Sequence, residues 1–439
     1  MSKIKKLIIF IGDLIILYGA LALTLVVRYG PSQFEGRWGD HLFPFSIIFV
    51  FWIIIFYAFN LYDYKISKTH NSLNNIFTAS FLAGVISILL LYFFPNFFEI
   101  SPKTNIIIFG LLVMALKYGW YQLSIFKLFT HGSEKIIIIG NSEAIEDTVS
   151  YITNNPQVGY SIGAWLDDPE KINIDGLIKV MGVTKAKTIV IPNHLTKKVS
   201  VSKLIYKLLS YEVNVISFWN FYEIIFEKIP LEEMEEGWFI ENISAHKPLY
   251  QSIKIGVDTF LASILLIIFS PLLVLFSFLV KLTSSGPVIY KQNRLGKNER
   301  LFTLYKFRTM EENAEKDGPK WASKNDKRTT TIGKILRRTH LDELPQLINV
   351  LKGDLSFVGP RPERPEFVEK LEKKIPFYEI RHIVKPGITG WAQVMYRYGA
   401  SIEDSREKLK YDLHYIRKSN LTLDILIIIK TIRMFFFNN

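Results

Sequence analysis

Four short strings in the C-terminal half of this chain bring together residue types suited to phosphate chemistry. Lys306-Phe307-Arg308-Thr309-Met310 sets two cations on either side of an aromatic. In an extended strand alternate side chains share a face, so Lys306 and Arg308 would point together and could grip adjacent phosphates, although such a pair alone is more often a solvated face. Asp342-Glu343-Leu344-Pro345-Gln346 places two carboxylates just before an expected helix. Asp342 would serve there as an N-cap with Pro345 in the first turn. Beside Arg337 and Arg338 the same pair could instead hold a divalent metal and supply a nucleophile. An ionised aspartate attacks phosphorus well only where cations neutralise the phosphate charge. Gly359-Pro360-Arg361-Pro362 fixes the backbone around one arginine and suits bidentate phosphate recognition, or is an ordinary proline turn. Lys385-Pro386-Gly387-Ile388-Thr389-Gly390-Trp391-Ala392-Gln393 could line a pocket, or merely make a hairpin and a core tryptophan.

Together the strings discriminate better than each does singly. They offer many cations and a carboxylate dyad, but no Gly-rich P-loop, no H-E-x-x-H and no G-x-S-x-G. The chain has no cysteine, which excludes disulfides, thiol catalysis and cysteine-ligated zinc or iron-sulfur sites. A diphosphate substrate with a lipid co-substrate would explain the combination.

The elements that must position these groups begin with membrane helices. In 439 residues, hydrophobic side chains make up 49% and mean hydropathy is +0.19, too apolar for an ordinary soluble protein. The net charge of +12 would suggest nucleic acid in a soluble chain; beside membrane spans it marks cytoplasmic loops and anionic lipid or phosphate partners. Residues 7–27, 43–61, 76–95 and 104–123 each have the length of about 20 apolar residues that crosses a bilayer. The first is read as a retained span rather than a signal peptide, because the run is long and no A-x-A-like cleavage site follows. Asp13 inside it should face the bundle interior, as a helix-packing contact in preference to a substrate group. Lys3, Lys5 and Lys6 precede the first span, Lys65 and Lys68 follow the second, and Lys127 and Lys135 follow the fourth. The positive-inside rule then puts both ends of this bundle in the cytoplasm.

An α/β rhythm comes next, with strands expected at 135–140, 163–166, 188–191 and 213–216 and a parallel sheet covered by helices. Gly140-Asn141-Ser142-Glu143-Ala144 keeps one glycine of a dinucleotide fingerprint, so a structural or regulatory Rossmann-like domain is favoured over a nucleotide site. Residues 257–280 form a fifth apolar run interrupted by Ser270-Pro271, where a kink is expected. A full crossing would export the basic remainder of the chain; the cations from Lys291 to Arg308 favour a helix that bends back to the same face. Residues 332–340 and 423–437 have the mixed composition of interfacial helices, with core-facing helices as the alternative.

In family order, Lys254 and Asp258, Ser270-Pro271, Thr283-Ser284-Ser285-Gly286-Pro287-Val288, KFRTM, LDELPQL, SFVGPRPE, KPGITGWAQV and Tyr411-Asp412-Leu413 with Tyr415-Ile416 stand from about Tyr250 onward. This stretch resembles the bacterial sugar transferases, the monotopic phosphoglycosyl transferase superfamily. With four spans and a Rossmann-like domain in front, the chain resembles the long form, the exopolysaccharide polyprenyl glycosylphosphotransferases. The resemblance implies Asp342 as nucleophile and Glu343 as its partner in magnesium binding or proton handling. It implies Lys306, Arg308 and Arg361 as phosphate ligands, and Ser270-Pro271 as the break of a re-entrant helix. Asp326-Lys327-Arg328 replaces a more usual Asp-Pro-Arg, a departure that touches only local loop shape.

The expected architecture is therefore an α-helical membrane bundle (1–130), an α/β Rossmann-like domain (131–240) and a mostly helical, membrane-associated catalytic domain (241–439) with a re-entrant helix at 257–280. The expected activity is transfer of a sugar 1-phosphate from a UDP-sugar to undecaprenyl phosphate with release of UMP, through an aspartyl-phosphosugar intermediate and with Mg2+. It would start exopolysaccharide, capsule or O-antigen assembly at the cytoplasmic face of the bacterial inner membrane. No nucleic-acid partner is expected, and homo-oligomerisation is left open. A membrane-anchored nucleotide-sugar dehydratase would need a second intact Gly-rich turn and a Tyr-x-x-x-Lys pair after residue 240, and no such intact fingerprint stands there. A non-enzymatic membrane scaffold would tolerate loss of Asp342.

Overall fold

The computed structural model describes residues 3–59, 61–62, 72–98, 104–128, 133–168, 174–196, 206, 213–243, 247–311, 314, 328–396, 399 and 401–437. Lys65, Lys68, Asp326 and Lys327 lie outside the described residues. The chain divides into two compact units, Met1–Phe221 and Tyr222–Asn439.

In the first unit the apolar runs fold as the helices Lys3–Tyr29, Phe34–Ala58, Ser72–Phe93 and Asn105–Leu128. Among the described residues four helical segments are long and apolar enough to cross a membrane: Ile8–Tyr29, Pro31–Tyr57, Leu73–Phe93 and Pro248–Ile268. The fourth expected N-terminal span is the helix Asn105–Leu128, which carries Lys117 at its centre. Lys117 meets Asp13 of the first helix at 2.5 Å, and the two side chains are 1% and 0% exposed. Asp13 is thus a packing contact: each charge, unaffordable alone in an apolar bundle, neutralises the other.

The α/β rhythm yields β1 (Glu134–Ile139), β2 (Tyr160–Leu166), β3 (Thr188–Ile191) and β4 (Asn214–Ser217), all parallel in the order β2-β1-β3-β4. Four consecutive buried isoleucines in β1 and four buried residues in β3 are the continuous apolar runs that a sheet covered on both faces demands. After β1, Gly140 turns at φ +110°, and Ser142 caps the following helix Glu143–Asn154 by accepting from the Ile145 amide.

The second unit begins earlier in the chain than the expected boundary at 241. Glu223 sits with His414 and Arg417 of the helix Ile402–Lys418, and Trp391 Nε1 donates to the Glu227 carbonyl. The long apolar run is two helices, Pro248–Ile268 and Ser270–Thr283, broken at Phe269 with Pro271 in the first turn of the second. A proline there removes the amide that would have continued the helix. Both halves pack on one antiparallel hairpin, β5 (Ile289–Leu295) and β6 (Leu301–Phe307). Ala262 of the first half shares a buried cluster with Leu304, Leu347 and Val350; Val280 of the second shares one with Phe307 and Leu336. A straight helix would separate Ala262 from Val280 by about 27 Å, whereas Leu304 and Phe307 are about 10 Å apart on their strand. The two halves therefore meet at a bend rather than in one straight line. Outward from this core, Phe260, Ile267, Val274 and Phe278 are exposed.

The remaining framework is small. β7 (Ser356–Val358) and β8 (Gly387–Thr389) pair in parallel, not as the hairpin considered for the latter segment. Of residues 332–340 all but the last two fall on the helix Thr331–Arg338, with Gly333 and Leu336 buried and Ile335 exposed. The last helix, Leu421–Phe437, buries Asp424 and Ile427.

Candidate active site

Three of the four strings converge on one carboxylate. Lys306 Nζ, from β6, donates to Glu343 Oε1 at 2.7 Å, and Arg361 Nη2 donates to the same oxygen at 2.6 Å. Asp342, next in the chain, is 8% exposed. Among the described residues no group donates a hydrogen bond to the Asp342 carboxylate.

Local chemistry explains why these groups arrive together. Thr330 caps the helix Thr331–Arg338 by accepting from the Gly333 amide at 3.0 Å. The KFRTM tail runs against that helix so closely that a Cβ on Gly333 would overlap the Thr309 carbonyl. Arg337 Nε then donates to Thr309 Oγ1 at 2.8 Å. His340 takes φ 54°, a left-handed conformation that stops the helix and starts the tight 3-10 turn Leu341–Glu343. The next helix, Gln346–Lys352, follows with Pro345 at its cap position, so the capping role considered for Asp342 is not the one it has. Asn349, fully buried, bonds β6 with both ends of its amide: Oδ1 accepts from the Tyr305 amide at 3.0 Å and Nδ2 donates to the Thr303 carbonyl at 2.7 Å. The strand carrying Lys306 and the helix behind Asp342 and Glu343 are thereby held in register.

The loop carrying Arg361 is fixed from several sides. The Gly359 amide donates to the Thr389 carbonyl at 2.9 Å and the Gly387 amide to the Pro360 carbonyl at 3.0 Å. The two glycine backbones approach so closely that a Cβ on either would overlap the other strand, which is why these motifs need glycine. Arg381 Nη2 donates to the Arg361 carbonyl at 2.9 Å while paired with buried Asp412 at 2.9 Å. Arg294 Nη1 donates to the Pro362 carbonyl at 3.1 Å.

The charges divide the dyad into unlike halves. Burial, and then the neighbouring Glu343 charge, push Asp342 up to about 6, against the pull of Lys306, Arg337 and Arg361. Burial would also raise Glu343, but Arg361 and Lys306 outweigh it and hold that carboxyl well below the usual carboxylate range. Glu343 is therefore a fixed anion within a cationic clamp. Asp342 is a poorly solvated carboxylate that is mostly ionised at pH 7 and, among the described residues, accepts no hydrogen bond.

Of the residues singled out from the sequence, Asp342, Glu343, Lys306 and Arg361 come together. Arg308 does not join them. β6 ends at Phe307, and the Arg308 guanidinium turns inward to donate to the Pro287 carbonyl and, at 2.9 and 2.7 Å, to Ser284 O and Oγ. It secures the exit of the broken helix, so the same-face expectation for Lys306 and Arg308 fails at the strand end. Trp391 is a core tryptophan, 2% exposed. Lys254 pairs with Asp424 at 2.6 Å, and Asp258 accepts from the Phe357 amide at 3.5 Å. Sequence reasoning passed over Asn349 and the Arg381–Asp412 pair. A lone amide in the apolar run of residues 347–351 was the available signal for the first; nothing local marks the second, whose partners are 31 residues apart.

The chain also resembles known proteins. Residues 249–438 match the family model described as bacterial sugar transferase. A UDP-N-acetylgalactosamine-undecaprenyl-phosphate N-acetylgalactosaminephosphotransferase of Aeromonas hydrophila is 50% identical over 186 residues, 42% of this chain and 44% of the relative. A UDP-glucose:undecaprenyl-phosphate glucose-1-phosphate transferase of Escherichia coli (strain K12) is 32% identical over 340 residues, 73% of this chain and 70% of the relative. One of the same name from Xanthomonas campestris pv. campestris is 31% identical over 322 residues, 68% of this chain and 66% of the relative. The chain thus spans less than half of the Aeromonas relative and about two thirds of the other two. With the ordered motifs, the clamped carboxylate dyad and a relative matched along most of its length, the chain belongs to the bacterial sugar transferase family.

Proposed function

We propose that the protein transfers a sugar 1-phosphate from a UDP-sugar to undecaprenyl phosphate, the first step in assembling a surface polysaccharide. The observation that carries this reading is the pairing of an unbonded, buried Asp342 with a Glu343 already neutralised by Lys306 and Arg361. Asp342 Oδ attacks the phosphorus bearing the sugar. An aspartyl O–P bond forms, the bond to the inner phosphate breaks, and UMP leaves with that electron pair. A phosphate oxygen of the lipid carrier then attacks the same phosphorus, freeing Asp342 and giving the diphosphate-linked lipid sugar. Lys306 and Arg361 would share their remaining donors with the incoming diphosphate, a role supported by the 41% exposure of the Arg361 side chain.

Magnesium fits the donor set. Among the described residues nothing donates to either Asp342 oxygen, and the two cations on Glu343 use Oε1 alone, leaving hard oxygen ligands of the kind Mg2+ takes beside substrate phosphates. Bound there, Mg2+ would neutralise phosphate charge near Asp342. A re-entrant arrangement of Pro248–Ile268 and Ser270–Thr283 is supported by the packing of both halves on one hairpin, and by the exposed apolar faces they turn outward. It would hold Asp342 at the cytoplasmic interface, where a nucleotide-sugar and a polyprenyl phosphate can both arrive. The preceding parallel sheet fits a Rossmann-like accessory domain.

The test is UMP release by the purified full-length protein with Mg2+, undecaprenyl phosphate and a panel beginning with UDP-N-acetylgalactosamine and UDP-glucose. Release with at least one sugar, lost in Asp342→Asn, is expected. Folded protein that releases no UMP with any sugar, or an Asp342→Asn variant as active as wild type, would overturn the reading.

A further inference from the structure

A second group of ligating side chains stands apart from the dyad. The oxygens of Glu299 and Glu372 and a ring nitrogen of His382 lie within 4.8 Å of one another, the one such trio among the described residues. Glu299 is in the turn between β5 and β6, Glu372 ends the helix Pro365–Glu372, and His382 belongs to the 3-10 segment Tyr378–Ile383. His382 is 7% exposed, yet neither Nδ1 nor Nε2 has a hydrogen-bond partner. A buried imidazole with both nitrogens unsatisfied needs an explanation, and a ligand on one of them is a sufficient one.

We propose that Glu299, Glu372 and His382 bind a first-row divalent metal ion, zinc in preference to magnesium. One imidazole and two carboxylates suit zinc at about 2.0–2.2 Å per ligand, with a water completing a tetrahedral set. Ligand atoms sharing such an ion lie about 3–4 Å apart. Rotation of the two exposed glutamates, not of the buried ring, would close the remaining gap. Arg381, next to His382 in the chain, is committed to Tyr378 Oη, Asp412 and the Arg361 carbonyl. An ion at this point would tie the β5–β6 turn to the segment whose Arg381 supports Arg361. It acts as a brace, with no contact to the reacting phosphate.

The full-length protein in detergent, stripped with EDTA and returned to millimolar magnesium, is titrated with zinc chloride while bound zinc and Tm are measured. One zinc per chain is expected, with a Tm rise of about 5 °C or more at a hundredfold excess over Kd. Asp342→Asn should keep this zinc, whereas Glu299→Gln with Glu372→Gln should weaken it at least about tenfold. In EDTA the double variant should melt no lower than metal-free wild type, because two mutually repelling charges are gone. Absence of zinc binding, equal binding by the double variant, loss of zinc only through a lowered Tm, or zinc displaced by Asp342→Asn would each overturn the proposal. None of these readouts depends on transfer of a sugar phosphate.

Discussion

Replacing Glu343 with glutamine should move the pH dependence of Asp342 before anything else. Glu343 has two effects in the structure: it neutralises Lys306 and Arg361, and its charge raises Asp342, second only to burial. At about 6 Å, the outer range over which a like charge shifts a carboxyl, and an effective dielectric near 20, two like charges repel by about 3 kcal/mol, or about two pKa units. Part of that is screened at a cluster open on one side, so a fall of about one to two units is expected from the value near 6. Lys306, Arg337 and Arg361, no longer opposed, act in the same direction. The assay is the single-turnover rate of UMP release between pH 4.5 and 8.5 without lipid acceptor. Wild type should show an acid limb near pH 6, and Glu343→Gln a limb one to two units lower. Its plateau should also be reduced, because Asp342 becomes a less basic nucleophile and the clamp loses its anchor. An acid limb that stays in place or rises would refute the electrostatic account of the dyad, even with activity reduced.

Asp342→Asn should reduce UMP release by on the order of 10³-fold or more, while raising stability above pH 7. The folded-state pKa of Asp342 lies above its ordinary value of 3.8. Its burial therefore costs nothing below pH 4, and the penalty grows as pH rises through about 6, to at most about 3 kcal/mol. The variant's gain in Tm should accordingly be larger at pH 8 than at pH 4.5; an equal gain at both would refute it. Asn349→Leu strands the Tyr305 amide and the Thr303 carbonyl, and should cost about 2–5 kcal/mol in denaturant unfolding. In the first unit, Asp13→Leu or Lys117→Leu alone should each cost about 3–5 kcal/mol by leaving an unpaired buried charge, whereas the double variant should recover most of that loss.

Periodicity and composition were enough to find the long apolar helices and four parallel strands, because each rests on a local rule: the length of an apolar run, or a short β-branched, apolar run between turn signals. The break at Ser270-Pro271 was equally legible, since proline acts on its own turn. Asp342, Glu343, Lys306 and Arg361 could be singled out by type, but not by position. Read singly, a cap, a solvated face and a proline turn competed with phosphate chemistry. What decided among them was the convergence of Lys306 and Arg361 on one Glu343 oxygen, which joins segments 18 and 37 residues apart. The failure of Arg308 to join them came from a strand that ends one residue too soon. The Asn349 bracket, the Arg381–Asp412 support and the Glu299–Glu372–His382 trio were likewise decided only by the fold. Each depends on which backbone groups meet across long separations, and side-chain periodicity carries no record of that. The sequence determined which elements form and which charges are available; tertiary structure determined which charges neutralise one another, and so which carboxylate is paired with cations and which is not.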